Sequence, residues 1–266
     1  MNARESRSGV LTAPPETWLP TVGSLQRRFY PDIVARDPVA TFVRRLDPLV
    51  RPTDDVLDLG AGAGELNSYA LKDRVRRLVG VDLDPRVGFN PLLHAGLRAD
   101  ICALPFREAS FDIVFAIYVL EHVDRSAALV ADIHRVLRPG GMCLVLTPNV
   151  FHYVTMISRL TPTRFHRWVN ERRGRRSADT FPTLYRLNSR TSLRRQFGKA
   201  GLRTVAVDAI EVQPNYLTFS PLAYLLGVGF ERLVNATDGL AALRVNLVGM
   251  FEKPAPAGRS TVAERL

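Results

Sequence analysis

Cysteine is nearly absent from this 266-residue chain: only Cys102 and Cys143 occur, each in or beside an apolar run. A disulfide framework is therefore excluded and a reducing compartment fits. The uncharged stretch Tyr216–Phe230 falls short of the ~20 residues that a bilayer-spanning helix needs. Pro221, Gly227 and Gly229 also interrupt it, so a transmembrane helix is not expected. The polar opening Met1–Gly9 is followed by no apolar stretch, so no secretory signal is expected and the chain is placed in the cytoplasm. The inner face of a membrane is its peripheral alternative. Acidic residues are outnumbered, 26 against 36 Lys and Arg, which leaves a net charge of +10. No internal repeat is present. Ordinary hydrophobic (46%) and charged (23%) contents indicate one large globular domain with a sizeable core. The boundaries read as a flexible tail over 1–17, a domain over 18–253 and a second tail over 254–266.

A further absence lies inside the stretch Val56-Leu-Asp-Leu-Gly-Ala-Gly-Ala-Gly64. An apolar run carrying Asp58 breaks into Gly60, Gly62 and Gly64, the pattern of a buried parallel strand ending in a tight turn. Glycine serves there because φ must turn positive or a Cβ would collide with a ligand. Such a turn at the carboxyl end of a strand lies where open α/β sheets bind ligands. The dinucleotide fingerprint G-x-G-x-x-G is missing, because the sixth position from Gly60 is Glu65, whose carboxylate would face a pyrophosphate. A helix is predicted over about Leu66–Arg77. The next strand, Leu78–Asp84, brings Asp82 to where a ribose-binding carboxylate belongs, with Leu83 against the adenine face and Asp84-Pro85 as a helix start. Leu97–Ile101 and the central run Phe111–Tyr118 read as strands. A helix over Ser126–Leu137, a turn at Arg138–Gly141, a strand at Met142–Leu146, a helix near Thr191–Ala200 and strands at Leu202–Glu211 and Arg244–Glu252 complete the reading.

The ordered set D-x-G-x-G-x-G, V-D-L-D, A-D-I…L-P-F, F-D-I-V…V-L-E-H-V and V-L-R-P-G-G resembles the class I S-adenosylmethionine methyltransferases of the type 11 branch, akin to the ubiquinone and menaquinone biosynthesis enzymes. The resemblance covers about residues 50–150. It implies an α/β three-layer sandwich with a Rossmann-like seven-stranded mixed sheet, order 3-2-1-4-5-7-6, the last strand antiparallel, and helical insertions. It implies S-adenosylmethionine as cofactor. Gly60, Ala61 and Gly62 would then hold the methionine moiety, Asp58 its amino group through water, and Asp82 the ribose. Asp100 would take the adenine amine and Ile101 its ring edge, while Tyr118 and Val119 would line the sulfonium end. Some quinone-pathway relatives bind a divalent metal through E-x-x-E-H at this place. Here Tyr118 replaces the first Glu, so no metal is expected.

Methyl transfer to oxygen needs a proton acceptor, and His122, just past the fourth strand, is the first candidate. The same histidine would equally cap the helix or brace the loop. His152, His166, Tyr153, Tyr185 and Arg186, together with Tyr30 in the helical N-terminal segment 18–50, are positioned to meet a substrate, and either Asn188 or Ser189 would cap the helix that follows. The insertion 150–190 carries nine arginines against Glu171 and Asp179, and guanidinium forks suit phosphate, carboxylate or an acidic membrane surface. A solvated basic loop is the alternative. The second insertion, 212–243, holds the apolar stretch, which would serve as core, dimer face, or interfacial lid. The expected function is O-methylation of a small-molecule, lipid-linked or sugar acceptor with anionic or amphiphilic character. The competing readings are a nucleic-acid methyltransferase using the arginines and a non-catalytic fold that docks on membranes. A nicotinamide dehydrogenase is disfavoured by Glu65, and no N-P-P-Y-like turn follows the fourth strand, which argues against nucleic acid.

Overall fold

A computed structural model gives the architecture, and the structure describes residues 20–34, 37–64, 70–160 and 183–255. Seven strands form one sheet in the order β3-β2-β1-β4-β5-β7-β6. They are β1 (Asp55–Leu59), β2 (Arg77–Asp82), β3 (Ala95–Arg98), β4 (Phe111–Ile117), β5 (Leu137–Pro148), β6 (Arg203–Ile210) and β7 (Asn246–Glu252). The first five pair in parallel, whereas β7 runs antiparallel to both β5 and β6. The helices are α1 (Val22–Phe29), α2 (Pro38–Leu46), α3 (Ser126–Val136), α4 (Tyr153–Leu160), α5 (Arg190–Lys199) and α6 (Pro221–Ala236).

Strand periodicity builds the three layers. Successive strand side chains point to opposite faces, so Leu57, Val114, Val145 and Leu247 join one buried cluster and Val56, Ile113, Leu144 and Val248 the other. The first cluster is covered by Leu129, Val130 and Ile133 of α3 and by Leu193 and Phe197 of α5. Phe197 stacks on Phe251 with ring centres 3.8 Å apart. The second is covered by Val39, Phe42 and Leu46 of α2. Local chemistry starts these helices. Asp37 accepts from the Val39 and Ala40 amides with Pro38 at the first position, and Ser189 and Ser192 form a reciprocal capping box on α5. A satellite cluster joins Leu25 and Tyr30 of α1 to Tyr224 and Val228 of α6.

The amino end of the sheet is pinned by charge. Asp55 is buried, and its carboxylate takes Arg76 and, at 2.8 Å, Arg138, which also pairs with Asp112. Burial opposes the Asp55 charge, but the Arg138 and Arg76 hydrogen bonds outweigh it and hold the carboxyl below its usual range. Asp112 is thus a structural acid, as its place at a strand start suggested.

Several boundaries differ from expectation. The predicted helix over 66–77 lies partly outside the described residues. Within them Ala70 is left-handed (φ +33°) and only a 3₁₀ turn, Lys72–Arg74, precedes β2. The helical N-terminal segment 18–50 holds two helices, α1 and α2. β3 ends at Arg98, which leaves Asp100 and Ile101 in a turn. The expected turn Arg138–Gly141 is absorbed into β5: Leu137 pairs with Phe111 and Met142 with Ile113, the register shifting between them, with Gly140 at φ +79°. The uncharged stretch is helical only from Pro221, and that helix runs on to Ala236. Among the described residues no helix is long and apolar enough to cross a membrane.

Candidate active site

At the carboxyl ends of β1 and β2 the glycine turn folds back on the neighbouring strand. The Gly60 and Ala61 amides donate to the Val81 carbonyl at 2.7 and 3.3 Å, and Gly62 N–H donates to Asp82 Oδ2 at 2.9 Å. Asp82 Oδ1 accepts from Asp84 N–H at 2.9 Å, so one carboxylate ties the turn to the end of β2. Asp84 caps the following 3₁₀ segment with Pro85 first. The three glycines have different reasons. A Cβ on Gly60 (φ +74°) would overlap Val119 Cγ2, and one on Gly64 (φ +88°) would press on Asn90. At Gly62 (φ +53°) nothing among the described residues lies within 4 Å of the Cβ position, which leaves open space there against its backbone.

Asn90 is a residue the sequence reading missed. Its buried amide donates to the Ala61 and Gly62 carbonyls at 3.0 and 3.2 Å and accepts from Leu92 N–H. It clamps the turn from the opposite strand connection, and its only sequence signal is an Asn-Pro dipeptide. Leu83 leaves the end of β2 with its side chain 61% exposed, an apolar surface facing outward beside Asp82. Asp100 sits in the turn after β3, accepts from Cys102 N–H at 2.8 Å and pairs with Arg125. A carboxylate has about four lone-pair sites, so room for another donor remains. Ile101 packs on the core beside it, and Asp58 is buried in β1 between Gly80 and Phe115. An open, carbonyl- and amide-walled turn, a strand-end carboxylate and an exposed leucine together fit an adenosyl compound without phosphates.

Past β4 the chain turns sharply. Tyr118 is left-handed (φ +57°), and a 3₁₀ turn, Leu120–His122, follows. Tyr118, Glu121 and His122 line a cavity of about 690 Å³ with Asp37, Pro38, Pro148, Val212, Gln213, Asn215, Tyr216, Thr218, Val245 and Asn246. Neither lysine nor arginine is among these lining residues. Glu121 is buried, and burial pushes its carboxyl up to about 7 against the lowering hydrogen bonds from its own amide and from Thr147. The Thr147 hydroxyl lies 3.3 Å from Glu121 Oε2 and accepts from Asn188 Nδ2 at 2.6 Å. Its hydrogen is therefore free for the carboxylate. The Glu121 carbonyl accepts from Leu184 and Tyr185 N–H at 2.6 and 3.2 Å.

The sequence-predicted substrate residues scatter. Tyr30 does not reach the cavity: it is buried in the α1–α6 satellite, where its hydroxyl donates to Glu231 at 3.0 Å. Burial and the Glu231 charge push its pKa well up. His152 and Tyr153 pack on Phe230 behind the wall made by Val212 and Val245, with His152 Nε2 3.5 Å from Glu211 Oε2. Burial lowers His152 to about 4 and raises Glu211 to about 8. Both displacements come from the same cause, and both groups are neutral over most of that range. Arg186 pairs with Asp124 at 2.6 Å on the surface, and Tyr185 (φ +52°) sits in the loop that holds Glu121. Of the two cap candidates, Ser189 caps α5, while Asn188 supports Thr147. His166 and most of the arginine-rich stretch lie outside the described residues. Among the described residues no group of three or more metal-ligating side chains occurs.

Comparison with known proteins bears on the glycine-turn half of the molecule. Residues 57–145 match the family described as Methyltransferase domain. A probable S-adenosylmethionine-dependent methyltransferase of Mycolicibacterium smegmatis is 36% identical over 106 residues, 36% of this chain and 38% of that protein. A malonyl-[acyl-carrier protein] O-methyltransferase of Enterobacter lignolyticus is 27% identical over 79% of this chain and 73% of its own length. Several curated relatives at 30% identity or more are spanned over only 29–59% of their length. The crystal structure of an S-adenosylmethionine-dependent methyltransferase from Mesorhizobium loti shares the fold, with a TM-score of 0.56 at 17% identity over 81% of this chain and 98% of that one.

Proposed function

We propose that this chain, which carries a methyltransferase domain over residues 57–145, moves a methyl group from S-adenosylmethionine to an oxygen of a small-molecule, lipid-linked or sugar acceptor. The observation that carries the reading is the open space against Gly62 beside the Asp82 carboxylate. S-adenosylmethionine supplies an electrophilic methyl on a sulfonium, so the protein's work is to bind, orient and exclude water. Gly60, Ala61 and Gly62 would hold the methionine part. Asp58 would hold its amino group through water, Asp82 the ribose hydroxyls, Leu83 and Ile101 the adenine, and Asp100 its amine. Val119, packed against Gly60, and Tyr118, in the cavity wall, would line the sulfonium end. The acceptor's proton has two receivers in the cavity wall, His122 and Glu121.

An amphiphilic acceptor, or a peripheral membrane contact, is supported by the outward face of α6. Leu222, Leu226 and Leu233 lie there at helical spacing and Phe219 just before them, all exposed. An anionic group would have to be met by the arginines of the 150–190 insertion, because the lining residues above carry only negative charge. Incubating the pure protein and methyl-labelled cofactor with a small-molecule extract tests the reading. Label should enter an organic product in an alkali-stable linkage such as an ether. Incorporation into RNA alone would favour the nucleic-acid alternative, and no incorporation into either would count against catalysis.

A further inference from the structure

We propose that the cavity beside Tyr118 takes an uncharged or cationic head that donates at least two hydrogen bonds, and that Glu121 rather than His122 receives the acceptor hydroxyl's proton. The proposal rests on the methyltransferase reading and adds a ligand class and a catalytic residue to it.

The charged groups of the lining are two carboxylates, Asp37 and Glu121, beside an unpaired carbonyl oxygen. Gln213 is nine-tenths buried, lines the cavity, and its Oε1 has no hydrogen-bond partner among the described residues. A buried carbonyl oxygen left unpaired is costly, and a ligand N–H or O–H would relieve it. Glu121 presents a second acceptor, and Asp37 at the α2 N-terminus brings a second carboxylate to the rim. A phosphate or carboxylate head would meet two like charges and a carbonyl dipole, with no lysine or arginine among the described lining residues. A hydroxyl or ammonium donor meets complementary partners.

Glu121 is also the better-held base. The Asn188 amide donates to the Thr147 hydroxyl, which orients that hydrogen toward Glu121 Oε2, and the 184–185 loop fixes the Glu121 backbone. The titratable groups that share the cavity wall with it are His122, Asp37, Tyr118 and Tyr216, and Tyr185 meets its backbone carbonyl through an amide. Its burial-raised affinity for protons, near 7, suits proton transfer at neutral pH. In the step, the acceptor O–H bond breaks and its proton passes to the carboxylate. The electron pair left on oxygen forms the bond to the transferred methyl, and the carbon–sulfur pair stays on sulfur. Water later removes the proton from Glu121.

Two readouts test this in the full-length protein. Carbon-13 NMR of glutamate-labelled protein should show a carboxyl titrating near neutrality that is missing in Glu121→Gln. Methyl transfer into the small-molecule extract should fall about 10²–10⁴-fold in Glu121→Gln with unchanged affinity for S-adenosylhomocysteine. Glu121→Asp should recover part of the rate with its pH dependence. Gln213→Met should leave the thermal midpoint of the free protein unchanged or higher while raising the apparent KM for the extract. Near-wild-type transfer by Glu121→Gln, or a fall in midpoint for Gln213→Met, would overturn the proposal while leaving the methyltransferase reading intact. Failure of the wild type to bind S-adenosylhomocysteine would remove both.

Discussion

Each glycine of the turn answers to a different neighbour, and substitution should separate them. Gly60→Ala forces a Cβ into Val119 at φ +74°, so about 1–2 kcal/mol of backbone strain is joined by a steric clash. Its unfolding midpoint should drop, and cofactor affinity with it. Gly62→Ala meets no atom of the described residues, so its stability loss should stay near the strain value while the added methyl occupies the ligand's space. Calorimetry with S-adenosylhomocysteine and urea unfolding distinguish the two. The glycine pattern was legible because positive φ is written into residue type. Asn90 and Gln213 were not, since their roles depend on carbonyls and a cavity contributed by distant segments. The proposed base Glu121 is less legible in sequence than His122, because histidine's free pKa suits the task, whereas a carboxyl reaches that range only through burial.

The buried His152–Glu211 pair gives a pH prediction. Glu211, raised to about 8 from 4.5, binds more protons folded than unfolded, so its contribution to stability is lost as pH climbs through that window. His152, lowered to about 4 from 6.5, loses stability as pH falls through its own window. The two slopes oppose each other between about 4.5 and 6.5, so a decline should show from about 6.5 to 8. Glu211→Gln should lessen that decline in thermal midpoints. An unchanged slope would show that the pair does not carry it.

At the scale of elements, α6 is apolar on both faces but buries only one. Tyr224 is fully buried against α1, so Tyr224→Ala should cost about 3–5 kcal/mol in urea unfolding. Leu226 is 68% exposed, and Leu226→Ser should change stability by no more than about 0.5 kcal/mol while reducing self-association or surface binding. Strands were the most readable elements, because β1, β4 and β7 are apolar on both faces, as a covered sheet requires. Arg138–Gly141 misled because a Pro-Gly-Gly run reads as a free turn, whereas Arg138 is fastened to Asp55 and Asp112 and the run is carried as an irregularity within β5. Within the helical N-terminal segment, Asp37-Pro38 marks the start of the second helix.

For the whole molecule, strand order came from the family resemblance; no residue in the chain states that β7 inserts between β5 and β6. The architecture then divides its acids by position. Asp55 and Asp112 brace the amino end of the sheet with arginines, while Asp82, Asp100 and Glu121 face the carboxyl end, where the ligand crevice lies. The excess positive charge is elsewhere, in the stretch of the sequence between Arg159 and Arg176. The account rests on the β1 turn accommodating an adenosyl sulfonium compound. Isothermal titration of the purified protein with S-adenosylmethionine, S-adenosylhomocysteine and a nicotinamide dinucleotide tests it most directly. Saturable heat with the first two, lost in Asp82→Ala, and none with the third is the predicted result. Binding of the dinucleotide without binding of either adenosyl compound would contradict it.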